Sequence, residues 1–83
     1  MDTGSVVLSL SGRDKGTFLA VTGTDERYIY VCDGRARPLQ NPKRKNPKHV
    51  QPVEIRLSET QMRSDKSLRK ALAIVKSEIE SRR

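Results

Sequence analysis

The chain has 83 residues, a formal net charge of +7 and a pI near 10.1, with 34% hydrophobic and 33% charged residues. A chain this short buries only about 60–65% of its unfolded surface, which excludes a large core or a deep cleft between two domains. A single cysteine, Cys32, excludes an internal disulfide and fits a reducing compartment, and no apolar run approaches the roughly 18–20 residues of a membrane span. The opening MDTGSVVLSL is acidic where a secretory signal is basic, and its apolar stretch is short. The expectation is a cytoplasmic monomer with no membrane partner.

The first predicted element is a strand over 5–11, SVVLSLS, with Val6, Leu8 and Leu10 alternating on one buried face. GRDKG follows as a turn with a glycine at each end. Residues 17–24, TFLAVTGT, form a second strand, and Asp25-Glu26-Arg27 turns the chain. YIYVCD, 28–33, is dense in β-branched and aromatic residues and reads as a third strand, which Gly34 ends. A proline-bounded basic loop occupies roughly 35–49. VQPVEIRL, 50–57, is a closing strand whose Pro52 marks an edge or a bulge. Four or five short antiparallel strands in about 57 residues suit a small barrel or sandwich.

The period then changes. Leu68, Leu72, Val75 and Ile79 fall at i, i+4, i+7 and i+11 with Ala71 beside them, one apolar stripe of a helix over about 65–81. Ser64 or Asp65 is its N-cap, and Arg82 and Arg83 suit the negative end of its dipole. SETQ, 58–61, has the form of a capping box and predicts a short turn before it. The organisation is therefore a β domain over 1–57 and a helical extension over 58–83. Its stripe packs on the chain's own sheet or docks on a partner; the first is the simpler expectation. Lys66, Arg69, Lys70 and Lys76 decorate the outside.

The charge is focused. Residues 1–34 are net acidic, whereas 35–49 hold six Lys/Arg and no acid, and the C-terminal 63–83 are also basic. Such focusing points to a polyanion partner. In the middle segment Arg35, Arg37, Lys43, Arg44, Lys45 and Lys48 repel one another unless a partner is present. Pro38, Pro42 and Pro47 restrict the unbound ensemble, so ordering against a partner costs less entropy. Six phosphate contacts on a single strand would give a log–log salt slope of about −4, and the arginines could stack on unpaired bases. A solvated linker is the competing reading. In the turn, Gly12 and Gly16 permit positive φ and close approach of a phosphate, while Arg13 and Lys15 supply charge; an ordinary hairpin with solvated charges fits the same spacing. His49, alone, suits a backbone or RNA hydrogen bond. Cys32 and His49 are only two candidate ligands where structural zinc takes four, so no metal site is expected. Cys32 reads as a small core residue. Tyr28 and Tyr30 share a strand face, for packing first and base stacking second. No catalytic arrangement or Walker-type loop stands out, so neither enzymatic activity nor a cofactor is expected.

GSVVLSLSGRDKGTFLAVTG resembles the KOW motif, an RNA-binding strand–loop–strand. The likeness rests on Gly4, the Val7/Leu8 strand, Gly12, the Lys15-Gly16 pair and the second apolar strand ending at Val21. YVCDGRARPLQNPKRKNPKHV is similar to the segment after the motif in bacterial KOW-domain proteins related to archaeal and eukaryotic large-subunit ribosomal proteins: a strand ending in Asp-Gly, then a basic loop ending in Lys-His. The resemblance covers about residues 4–55. It implies an SH3-like barrel, no catalytic activity and RNA as partner, through the ribosome or its rRNA. The candidate contacts are Gly12, Arg13, Lys15, Gly16, Arg35, Arg37, Lys43, Arg44, Lys45, Lys48 and His49. The alternative is a protein-interaction module docking on a ribosomal protein or on a translation or transcription factor.

Overall fold

A computed structural model describes residues 1–82. Five strands, β1 (Ser5–Ser9), β2 (Phe18–Thr24), β3 (Ile29–Cys32), β4 (Lys43–Lys45) and β5 (Val50–Arg56), form one antiparallel sheet of order β4-β3-β2-β1-β5. A single 3-10 turn, Pro47–His49, joins the edge strands β4 and β5, and helix α1 (Asp65–Ser81) follows. The Cα radius of gyration is 11.5 Å, close to the roughly 12 Å of a compact chain of this length.

Part of the segment expected as loop is strand. Lys43–Lys45 pairs with β3 through Ile29↔Lys45, Tyr30↔Arg44 and Val31↔Lys43. Three consecutive cations carry no strand signal of their own; the free edge of β3 supplies the pairing partner.

The predicted alternation of β1 also gives way. Val6 and Val7 are both buried, Leu8 is half-buried and Leu10 is exposed. Adjacent strand residues point to opposite faces, so both faces of this sheet are covered. On one face Val6, Ala20 and Cys32 meet Leu68, Ala71, Leu72 and Val75 of α1, with Phe18 and Ile79 packed at the margin. The helix stripe is thus spent on the chain's own sheet. On the other face Val7, Leu19, Val21, Ile29, Val31 and Val50 form a second cluster with no helix over it. The sheet covers that cluster by curling, which places Val50 of the edge strand β5 in one buried cluster with Ile29 and Val31 of β3. Register shifts mark where it bends: between Val21 and Gly23 of β2, and in β5, where the five residues from Pro52 to Arg56 run against the three from Ser5 to Val7 of β1. The β5 bulge follows Pro52 and holds Glu54 at φ +61°.

The helix start is capped twice over. Ser64 Oγ accepts from Ser67 N (3.1 Å), and Ser67 Oγ accepts from Ser64 N (3.2 Å). The SETQ turn forms as expected, with Ser58 N donating to Gln61 Oε1 and Gln61 N to Ser58 Oγ. The chain after β3 docks on this end of α1. Asp65 Oδ1 accepts from Leu39 N (2.8 Å), and Arg69 Nη1 donates to the Gly34 carbonyl (2.7 Å). Gly34 sits at φ +77°, and a Cβ there would collide with the Asp65 carbonyl oxygen, so the close approach requires glycine. Arg82 closes the helix; Arg83 lies outside the described residues.

Left-handed backbone at a residue with a Cβ costs about 1 kcal/mol. Glu54→Gly should therefore raise stability by about 0.5 kcal/mol after the entropic cost of glycine is subtracted. A urea midpoint that stays or falls would show that the bulge stores no such strain.

Candidate nucleic-acid interface

The Gly12–Gly16 turn and strand β4 are far apart in sequence, with Asp14 29 residues from Lys43 and 31 from Lys45, and one carboxylate joins them. Asp14 accepts from Ser9 Oγ (2.7 Å), from Lys45 Nζ (3.0 Å) and from Lys43 Nζ (3.4 Å). Lys45 Nζ also donates to the Ser11 carbonyl at 3.1 Å. The Lys45 side chain is only 5% exposed, and burying an ammonium without a partner is costly. The network satisfies it. Partial burial would raise the Asp14 pKa, but the hydrogen bonds from Ser9 and Lys45 and the charges of Lys45 and Lys43 outweigh that and hold it at about 2. Gly12 and Gly16 both stand at φ +86° and shape the turn around this carboxylate. In a flat sheet β1 and β4 would lie three strand spacings apart, about 14 Å; the lysine spans the gap because the sheet curls.

This network divides the predicted contacts. Lys45 is buried and Lys43 half-buried, and both face Asp14. They are tied up in structure: the basic segment has no acidic neighbour in sequence, and Asp14 reaches it from the turn. Arg37 is half-buried in the turn after β3, where Asp33 Oδ1 accepts from the amides of Arg35 and Arg37. Exposed are Gly12, Arg13, Lys15, Gly16, Arg35, Arg44, Lys48 and His49. Among the described residues, Arg13, Lys15, Arg35, Arg44 and Lys48 make no salt bridge.

The Asn-Pro pairs set the second half of the segment. Asn46 Oδ1 accepts from Lys48 N (2.9 Å) and Pro47 opens the 3-10 turn. Pro has no amide to leave unpaired there. The His49 carbonyl accepts from Leu10 N (2.8 Å), pinning the turn to the end of β1, while its side chain is exposed. Turn 12–16 and residues 43–49 therefore share one end of the sheet.

Strand alternation sends Arg44 to the other face, where its guanidinium lies 4.6 Å from the centroid of the Tyr28 ring. Tyr30, opposite Arg44 in register, donates its hydroxyl to Asp25 Oδ2 (2.6 Å). That bond, with the Arg27 and Tyr28 amides on Asp25 Oδ1, lowers the Asp25 pKa and raises that of Tyr30. The half-buried Tyr28 ring thus carries Arg44, with the half-buried Tyr30 opposite it in register. Arg44 is legible as a cation in the sequence; its seat on Tyr28 is not, because it depends on the β3–β4 register. Cys32 is fully buried, and desolvation, helped by Asp33 and Asp65, pushes its thiol up to about 11, which makes it a core residue rather than a nucleophile. Among the described residues no helix is long and apolar enough to cross a membrane.

No protein-family model matches this chain, and no curated protein matches it.

Asp14 carries the testable consequence. Its carboxylate is stabilised by the fold, so the associated stability is present above the unfolded pKa of 3.8 and is lost as pH falls toward the folded value of about 2. Asp14→Asn should cost about 2 kcal/mol near neutral pH, because Lys45 stays buried beside a neutral partner. It should also flatten the fall in stability between pH 4 and 2. Urea titrations across that range check both; a variant with wild-type stability at pH 7 would show that the clamp is not holding the fold.

Proposed function

We propose that this chain is a non-catalytic RNA-binding protein, associated with the ribosome or its rRNA, that binds by charge and shape rather than by base sequence. The observation that carries the reading is that five candidate cations, Arg13, Lys15, Arg35, Arg44 and Lys48, are exposed and make no salt bridge among the described residues, on a framework held by the Asp14 clamp and the prolines. Phosphate contacts of this kind position a protein on RNA with little sequence information. A pre-stiffened segment loses little entropy when it orders on a partner.

The resemblance to KOW-motif proteins implies an SH3-like barrel. Three features support that fold: the strand order β4-β3-β2-β1-β5, the single 3-10 turn between the edge strands, and a buried cluster with no layer over it except the sheet itself. In the protein-module reading the barrel or the helix stripe docks on a factor and the basic loop reads an acidic surface; of these, the stripe is already taken, because Leu68, Ala71, Leu72 and Val75 are buried against the sheet. That favours the RNA reading.

Because Lys43 and Lys45 serve the fold, the decisive variant leaves them intact. Arg13→Gln, Lys15→Gln, Arg44→Gln and Lys48→Gln combined should bind a structured rRNA fragment more weakly and reduce the magnitude of the log–log salt slope by about 3. Fluorescence anisotropy from low to moderate salt measures both, and thermal melting checks that the variant folds. An unchanged slope in a folded variant removes these residues from the interface. In lysate, the protein should co-migrate with large ribosomal particles at low salt and leave them as salt rises.

A further inference from the structure

Phe18 is the single phenylalanine of the chain, and it opens β2 just after the Gly12–Gly16 turn. It is half-buried and packs only at the margin of the helix-side core. Two adjoining cavities of about 530 and 320 Å³ meet at its ring and share Gly16, Phe18 and Lys76 in their walls. Together they form one groove between the sheet and α1. Their volumes fall within or near the range of small-ligand sites, about 300–1,000 Å³. One end has an apolar floor of Leu8, Val53 and Ile79; the other is rimmed by Arg35 and Arg69.

The charge on this rim is available to an anion. Arg35 makes no salt bridge among the described residues. Arg69 gives one of its donors to the Gly34 carbonyl, and a guanidinium has five. Lys76 meets Glu80 at 3.9 Å, with both side chains more than half exposed, a pair of little worth. Asp33 is itself in the wall of the smaller cavity, with its Oδ1 accepting from the amides of Arg35 and Arg37. Gly16 adds no side chain to block the entrance, and nothing lies within 4 Å of where its Cβ would be. The exposed turn that carries Lys15 therefore runs straight into the groove.

Resting on the RNA reading above, we propose that this groove takes an unpaired base of a single-stranded segment, with Phe18 as the stacking surface and Arg35, Arg69 and Lys76 holding the flanking phosphates. An aromatic ring below a cationic rim is what a single strand offers its bases and backbone to. A duplex keeps its bases stacked and can use only the turn and the β4 end. The groove makes the protein a reader of single-strand to duplex junctions.

The test compares a 12-nucleotide oligouridine carrying one 4-thiouridine with a duplex RNA of the same length, on the full chain. Phe18→Leu keeps an apolar side chain against the helix-side core. It should weaken oligouridine binding about tenfold, the size of a lost base–aromatic stack, with the salt slope and duplex binding unchanged. Lys76→Ala, on an exposed side chain, should weaken oligouridine binding and reduce the slope by about 0.7. Photocrosslinking followed by trypsin should place the nucleotide in the peptide spanning residues 16–27. Wild-type oligouridine affinity in both variants, or a crosslink only in the peptide 28–35 that carries Tyr28 and Tyr30, overturns the proposal and leaves the groove to a peptide, with the RNA reading intact. Failure of the wild-type chain to bind either RNA overturns both.

Discussion

The fold depends most on one carboxylate. Asp14 lets Lys45 be buried at the open end of a curled sheet, where an unpaired ammonium would not be tolerated. The same contact fixes where the turn after β1 sits relative to β4. Two basic pieces that are far apart in sequence become neighbours because an acid within one, Asp14 of the turn, holds two lysines of the other. With two lysines neutralised in this way, Arg13, Lys15, Arg35, Arg44 and Lys48 stay exposed and make no salt bridge among the described residues. In this chain, the contact that stabilises the fold also sorts the charge.

The apolar half of the structure answers a different constraint. A chain of 83 residues has few apolar side chains, and β1 uses Val6 and Val7 on opposite faces to serve two small clusters at once. Helix α1 covers one cluster. The other is enclosed by the sheet's own curvature, which needs the bulges at Thr22 and around Glu54. A flat sheet of the same strands would leave Val7, Leu19, Val21 and Val31 in water.

The outer surface is prepared before any partner arrives. Arg44 is held over Tyr28, the Asn46 carboxamide caps the 3-10 turn, and Asp33 folds the segment around Arg35. Each device lowers the conformational freedom of a long cationic side chain or of the backbone that bears it, which reduces the ordering cost of binding. The proposed groove beside Phe18 extends this surface around the sheet edge toward α1, where Lys76 and Arg69 project from the helix.

Much of the local structure was legible in the residues. The 3.6-residue stripe of α1, the Ser58–Gln61 turn and the β2 and β3 strands follow from periodicity and capping chemistry, which act over a few residues. Pro52 announced the irregular edge strand. The concentration of charge between 35 and 49 and the glycines of the turn marked the candidate interface. What the chain order could not reveal depends on pairing at a distance. Lys43–Lys45 is a strand only because β3 offers an edge, and Lys45 is buried only because Asp14 arrives from 31 residues away. Val7 is core only because the sheet curls. The sequence by itself determined which segments could be strand or helix and where positive charge would gather, since those are properties of neighbours along the chain. The tertiary structure alone decided which cations remain free to meet a partner, because that depends on which of them the fold brings within reach of a carboxylate.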